Sequence, residues 1–132
     1  MNNYSRLLLR FSAIFAVIGA MIGAHMAGAG SYAFQPVHAH ILVVGWLSLF
    51  AWAVYYKVFY QEASTLAKFH VWSAIVGSIG LTAGMWLRFL EPFNLPGTFT
   101  LIVYIAGGSI LLLSFILFLL LAFRLKEQCP SE

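Results

Sequence analysis

Four stretches of nearly unbroken apolar sequence, at about residues 7–29, 37–59, 67–89 and 98–123, leave little of this chain outside them. A helix needs roughly 20 apolar residues to cross a bilayer, and each stretch meets that length. The chain of 132 residues is 62% hydrophobic and 8% charged, with a mean hydropathy of +0.92, a composition outside the soluble range. The expectation is an all-α integral membrane protein in contact with the lipid bilayer, its residues 1–132 forming a single transmembrane domain.

The joins are short and rich in turn residues. Gly28 to Pro36 carries Gly, Ser and Pro, Tyr60 to Leu66 carries Gln, Glu, Ser and Thr, and Glu91 to Gly97 carries Pro92, Asn94 and Pro96. Tight joins make sequential helices antiparallel neighbours, which predicts a four-helix up-and-down bundle. Arg6, Arg10, Lys57, Lys68, Arg124 and Lys126 fall on one side and Arg88 alone on the other, so both termini are expected in the cytoplasm. The formal charge of +3 is therefore a topology signal. With no clustered basic stripe, a nucleic-acid partner is not expected. The first apolar stretch is long enough for a retained span, although Arg6 and Arg10 ahead of it resemble the start of a secretory signal. Cys129, in the polar tail, reads as a free thiol, and no paired-thiol metal motif is present.

The chemistry is concentrated in histidine. His38 and His40 lie in the run Gln35-Pro36-Val37-His38-Ala39-His40-Ile41-Leu42-Val43-Val44-Gly45-Trp46, where the second span begins. Ionisable groups near hydrocarbon are costly and mark functional sites. With the termini inside, His25, His38 and His40 fall near the outer membrane face, and His70 lies roughly 25 Å deeper. If the helix has begun by Val37, His38 and His40 diverge by about 200° and serve different tasks. If Pro36 holds them extended, both rings converge on one ion.

On the helical reading, the His38 face continues through Leu42, Gly45, Leu49, Trp52 and Tyr56. Gly45 stands one heptad below His38 and leaves a flat vacancy that would suit a porphyrin or let a neighbouring helix approach.

The stretch from His38 to Tyr56, with Trp46 inside it and Tyr55-Tyr56 at its end, resembles the second transmembrane helix of subunit I of the heme-copper oxidases, especially the nitric oxide reductase branch. Arg10-Phe11 leading to Gly19, Gly23 and His25 is similar to the first helix of such subunits. The His-Ala-His-x-x-x-x-Gly-Trp pattern and the run Ala67-Lys68-Phe69-His70-Val71-Trp72 resemble small four-helix bacterial proteins of oxidase-like type, over roughly residues 6–90.

That resemblance implies a heme b ligated by His38, with Gly45, Trp46 and Trp52 around the ring, in a bacterial inner membrane and near a respiratory-chain or other redox partner. Electron transfer or binding of a diatomic gas is the implied activity. A complete oxidase is not expected of four helices without the second histidine cluster, and whether the chain is an enzyme stays open. Adjacent helices pack about 8 to 10 Å apart, too close for His25 and His38 to sandwich one heme, so a second ligand is expected from a diagonal helix or another copy, which implies a homo-oligomer, or else His38 is the only ligand and one face of the heme stays open.

Two further readings stay open. His25, His38 and His40 together offer three imidazoles to copper or a similar ion, with Met21 and Met26 as added soft ligands, which would suit an assembly factor. Alternatively the histidines bond only to neighbours in an accessory structural subunit, His25 to a carbonyl or water; in a cofactor site His40 could instead bond a propionate or orient another ligand. His70 shares a face with Ser73, Gly77, Leu81 and Gly84, either a helix-packing groove with a polar anchor or the wall of a second site. Gly19/Gly23 and Gly80/Gly84 predict close helix contacts, and the featureless fourth span is expected to face lipid. Trp46 and Trp52 are expected to pack internally rather than to anchor at an interface.

Overall fold

Apolar sequence in a membrane must satisfy its backbone internally, and helices do so. The computed structural model describes residues 3–60 and 64–125. Glu62, Lys126 and the thiol of Cys129 lie outside the described residues. Four long apolar helices make up the rest: α1 (Asn3–Ala29), α2 (Gln35–Val58), α3 (Thr65–Leu90) and α4 (Gly97–Phe123). Each is long and apolar enough to span a bilayer, so the chain is a multi-pass membrane protein of all-α class.

The joins follow their residues. Gly30, at φ +62°, takes the left-handed conformation that ends α1. Ser64 caps α3, its Oγ accepting the Ala67 N–H at 3.1 Å. Glu91 closes α3 in the left-handed region, at φ 44° and ψ 48°, without glycine's freedom to do so.

Lipid offers no hydrophobic reason for helices to associate, so close approach of backbones decides the packing. Along α3 and α4 that approach is made by glycines. A Cβ on Gly77 would stand 2.5 Å from the Leu111 nitrogen, one on Gly84 2.5 Å from the Tyr104 Cα, and one on Gly107 would overlap the Gly80 backbone. On the other side α1 and α2 form an antiparallel pair in which Ser5 Oγ donates to the Ala53 carbonyl at 2.8 Å, Phe15 lies against Gly45 and Leu42 against Gly19. The α3 helix packs on both α1 and α2, whereas α4 runs along α3 and reaches α2 through Phe115 and Phe118. Much of α4 is turned outward, with Leu112, Leu113, Ile116, Leu119 and Leu120 all exposed on the chain.

The middle of α2 departs from α-helical winding. Ile41–Ser48 is π-helical, and Ser48 Oγ donates to the Val43 carbonyl, five residues back, at 2.9 Å. Such wide turns are rare and concentrate at functional sites. No apolar or polar periodicity in Ile-Leu-Val-Val-Gly-Trp-Leu-Ser announces it. Below it Leu49, Trp52 and Tyr56 are buried, so the stripe descending from His38 does face the interior.

Candidate functional site

The α2 helix is already formed at Gln35, with Pro36 in its first turn, where the missing N–H costs no hydrogen bond. His38 and His40 are therefore both helical, and the extended arrangement that would converge them is not adopted. The half-buried His38 ring turns toward α1, where its Nδ1 lies 2.9 Å from the Gly19 carbonyl oxygen. A carbonyl only accepts, so Nδ1 carries the proton and Nε2 is left with its lone pair. Gly23 provides the seat, because a Cβ there would lie 2.9 Å from His38 Cε1. The GxxxG pair of α1 thus receives an imidazole and a leucine rather than another backbone.

His40 is exposed and makes the corresponding bond within its own helix, Nδ1 to the Pro36 carbonyl at 2.8 Å. Its Nε2 is likewise the basic nitrogen. His25, also exposed, meets the Phe34 ring edge-on at a centroid distance of 6.0 Å. Among the described residues no three His, Cys, Asp or Glu side chains are grouped to hold a metal ion, so His25, His38 and His40 do not assemble into one three-imidazole centre.

Three positions depart from the porphyrin reading. The vacancy beneath His38 is filled, since the Phe15 ring occupies the space a Gly45 side chain would take. Gly45 therefore serves helix approach. Trp46 is 44% exposed and points away from the interior, because it follows Gly45 by one residue and Gly45 faces α1. Trp52 is buried as expected, but beside His70, at a ring distance of 4.8 Å, two-thirds of the way down α2 from His38.

A cavity of about 380 Å³ opens between α1, α2 and α3, lined by Phe11, Phe15, Ile18, Val37, Thr82 and Trp86 among others. No histidine lines it. It is an apolar space to one side of His38, sharing the neighbouring Val37 and Ile41 but not the imidazole itself.

The second polar centre was only half visible in sequence. His70 is fully buried, with its Nδ1 2.7 Å from the Tyr56 hydroxyl, which also lies 3.4 Å from the Ala67 carbonyl oxygen. The His70 Nε2 is buried with no hydrogen-bond partner among the described residues. The pair sits where α2 ends and α3 begins. Tyr56 is 18 residues beyond His38, which at 1.5 Å per residue separates the two centres by roughly 27 Å. The signal that could have found it is the short join: Tyr56 lies just before it and His70 just after, at matching depth on antiparallel helices.

As ligand chemistry, His38 is the histidine best prepared. Histidines that ligate metals nearly always donate their other ring N–H to a carbonyl or carboxylate, which fixes tautomer and ring plane. His38 has that bond across a helix interface. Comparison with protein-family models, with curated proteins and with solved structures finds no match.

Proposed function

We propose that this chain is a heme b-binding membrane protein of heme-copper oxidase-like type, in which His38 would hold the iron through Nε2. The observation that carries the reading is the 2.9 Å bond from His38 Nδ1 to the Gly19 carbonyl, which leaves Nε2 as the donor atom a metal requires. When bound, the heme would supply one-electron chemistry or an open coordination position for a diatomic gas. The Gly19 carbonyl raises the basicity of the imidazole and, with the seat at Gly23, holds its plane. Gly45 and Trp52 take no part, since Phe15 covers the first and His70 engages the second.

A second imidazole for the iron, on this reading, would come from another copy of the chain. His25 rests on Phe34, His40 diverges from His38, and His70 belongs to the far end, so no second imidazole of the same chain opposes His38. A homo-oligomer in a bacterial inner membrane, with both termini cytoplasmic, would put His38 near the outer face and within reach of a respiratory redox partner. Six of the seven Lys and Arg residues support that orientation.

The absorption spectrum of the purified protein is the test. A Soret band with sharp reduced-state α and β bands, lost in His38→Ala, is expected. A colourless protein from heme-replete cells would overturn the reading, and stoichiometric copper without a Soret band would replace the heme by a bare ion.

A further inference from the structure

The cavity between α1, α2 and α3 has no part in the iron reading. Its lining is apolar from Phe11 to Phe34, and its one hydroxyl, on Thr82, donates to the Ser78 carbonyl of its own helix at 2.8 Å. Water stays in such a space only where polar groups hold it, and here they do not. Ile14, Ile18 and Ile79 line the cavity and are also 54%, 42% and 44% exposed on the chain, so it opens sideways as a groove. The groove is therefore continuous with the surface that the spans present to lipid. An unfilled space denies its lining the dispersion contacts of packed atoms, and the neighbouring matter able to restore them is a hydrocarbon chain.

Charge identifies what such a chain is attached to. Arg6, Arg10, Ile14, Ile18 and Ile22 follow one another at four-residue intervals, one row along α1. The three isoleucines line the groove, and the two arginines, both exposed, stand one and two turns below Ile14. Neither arginine has a carboxylate to pair with: Glu91 is the only acidic side chain among the described residues, and it closes α3 at the opposite end of the bundle. The first turn of α1 holds no acidic residue, so the helix dipole adds to the positive field there. A guanidinium at the edge of hydrocarbon is costly to leave uncompensated. From Phe11 to Ile22 the groove wall rises roughly 17 Å. That is close to the depth of one leaflet's hydrocarbon, about 15 Å.

We propose that the groove binds one anionic phospholipid from the leaflet at the end of the bundle where α1 begins. Arg6 and Arg10 hold its phosphate, and one acyl chain lies along Ile14, Ile18 and Ile22, with Trp86 and Ala83 of α3 as the facing wall. The chain thereby joins α1 to α3 where their own side chains leave a gap. A zwitterionic lipid carries a cation that opposes the arginines and is the weaker ligand. The site stands without iron at His38.

The test is native mass spectrometry of the full chain, delipidated in detergent and titrated with dioleoyl phosphatidylglycerol or dioleoyl phosphatidylcholine. One phosphatidylglycerol per chain is expected, bound roughly tenfold or more tightly than phosphatidylcholine, the scale of a hydrogen bond to a charged group. Replacing both arginines, Arg6→Gln with Arg10→Gln, should remove the preference. Ala83→Phe, which puts a ring into the groove, should weaken binding of both lipids. Equal affinity for the two headgroups, a preference that survives loss of both arginines, or unchanged affinity in Ala83→Phe would overturn the proposal. Should Ala83→Phe fail to fold, dihexanoyl phosphatidylglycerol decides on the unaltered protein. Its chains are too short to fill the groove, so weaker binding is expected, and binding as tight as that of the dioleoyl lipid means that no chain occupies it.

Discussion

The Nδ1 of His38 and the carbonyl oxygen of Gly19 stand 2.9 Å apart across the α1–α2 interface, and this one bond fixes which nitrogen of the ring carries the proton. It is possible because Gly23, one turn further along α1, has no side chain to displace the imidazole. Replacing His38 by Ala should abolish heme binding, and Gly23→Leu should reduce it by pushing the ring off the carbonyl. His70→Ala, at the far end of the bundle, should leave heme content largely intact. Heme-to-protein ratios of the purified variants check this, and equal loss in His38→Ala and His70→Ala would contradict the separation of the two centres.

Tyr56 and His70 should show the asymmetry of a buried hydrogen bond. Tyr56→Phe leaves His70 Nδ1 buried without its phenol and should destabilise the fold by about 1–3 kcal/mol. Adding His70→Phe removes the stranded imidazole and should recover most of that loss. Unfolding titrations in mixed detergent micelles on both single variants and the double variant give the coupling directly.

The α3–α4 pair depends on backbone contact at Gly107. A Cβ there overlaps the Gly80 backbone and the Leu81 nitrogen, neither of which can turn aside as a flexible side chain could. Gly107→Ala should therefore cost about 1–3 kcal/mol by overpacking. Leu112→Ala, on the outward face of the same helix, should change unfolding in detergent very little.

Glu91 holds a left-handed backbone, φ 44°, at the end of α3. A residue with a Cβ pays about 1–2 kcal/mol in that region and glycine does not. Glu91→Gly should thus raise stability by about 1 kcal/mol, read as a higher thermal midpoint in detergent, provided its greater unfolded-state freedom offsets only part of the gain.

The spans were legible because their cause is local. Solvation of a helix in hydrocarbon depends on its own residues, and the expected boundaries fall within a few residues of α1 to α4. The close-contact glycines of α3 were legible for a related reason, since a backbone can approach only where a side chain is absent. The centre around His38 was legible only as far as its residue types. Sequence marked the imidazole and the glycines of α1 but not that they meet, and it left Gly45 open between space for a porphyrin and approach of a helix, which Phe15 decides for the second. Trp46 and Trp52 looked alike in sequence, yet one faces outward and the other packs on His70.

What the sequence determined by itself is an all-α membrane protein with four spans, and the depth at which each histidine enters. Tertiary structure alone decided which group the imidazoles at helix interfaces face: Gly19 for His38 and Tyr56 for His70. The reason is physical. Depth follows from a fixed rise per residue along one helix, whereas a hydrogen bond between helices depends on their rotation, which the π-helical turns of Ile41–Ser48 alter and which only side chains meeting across the interface can set.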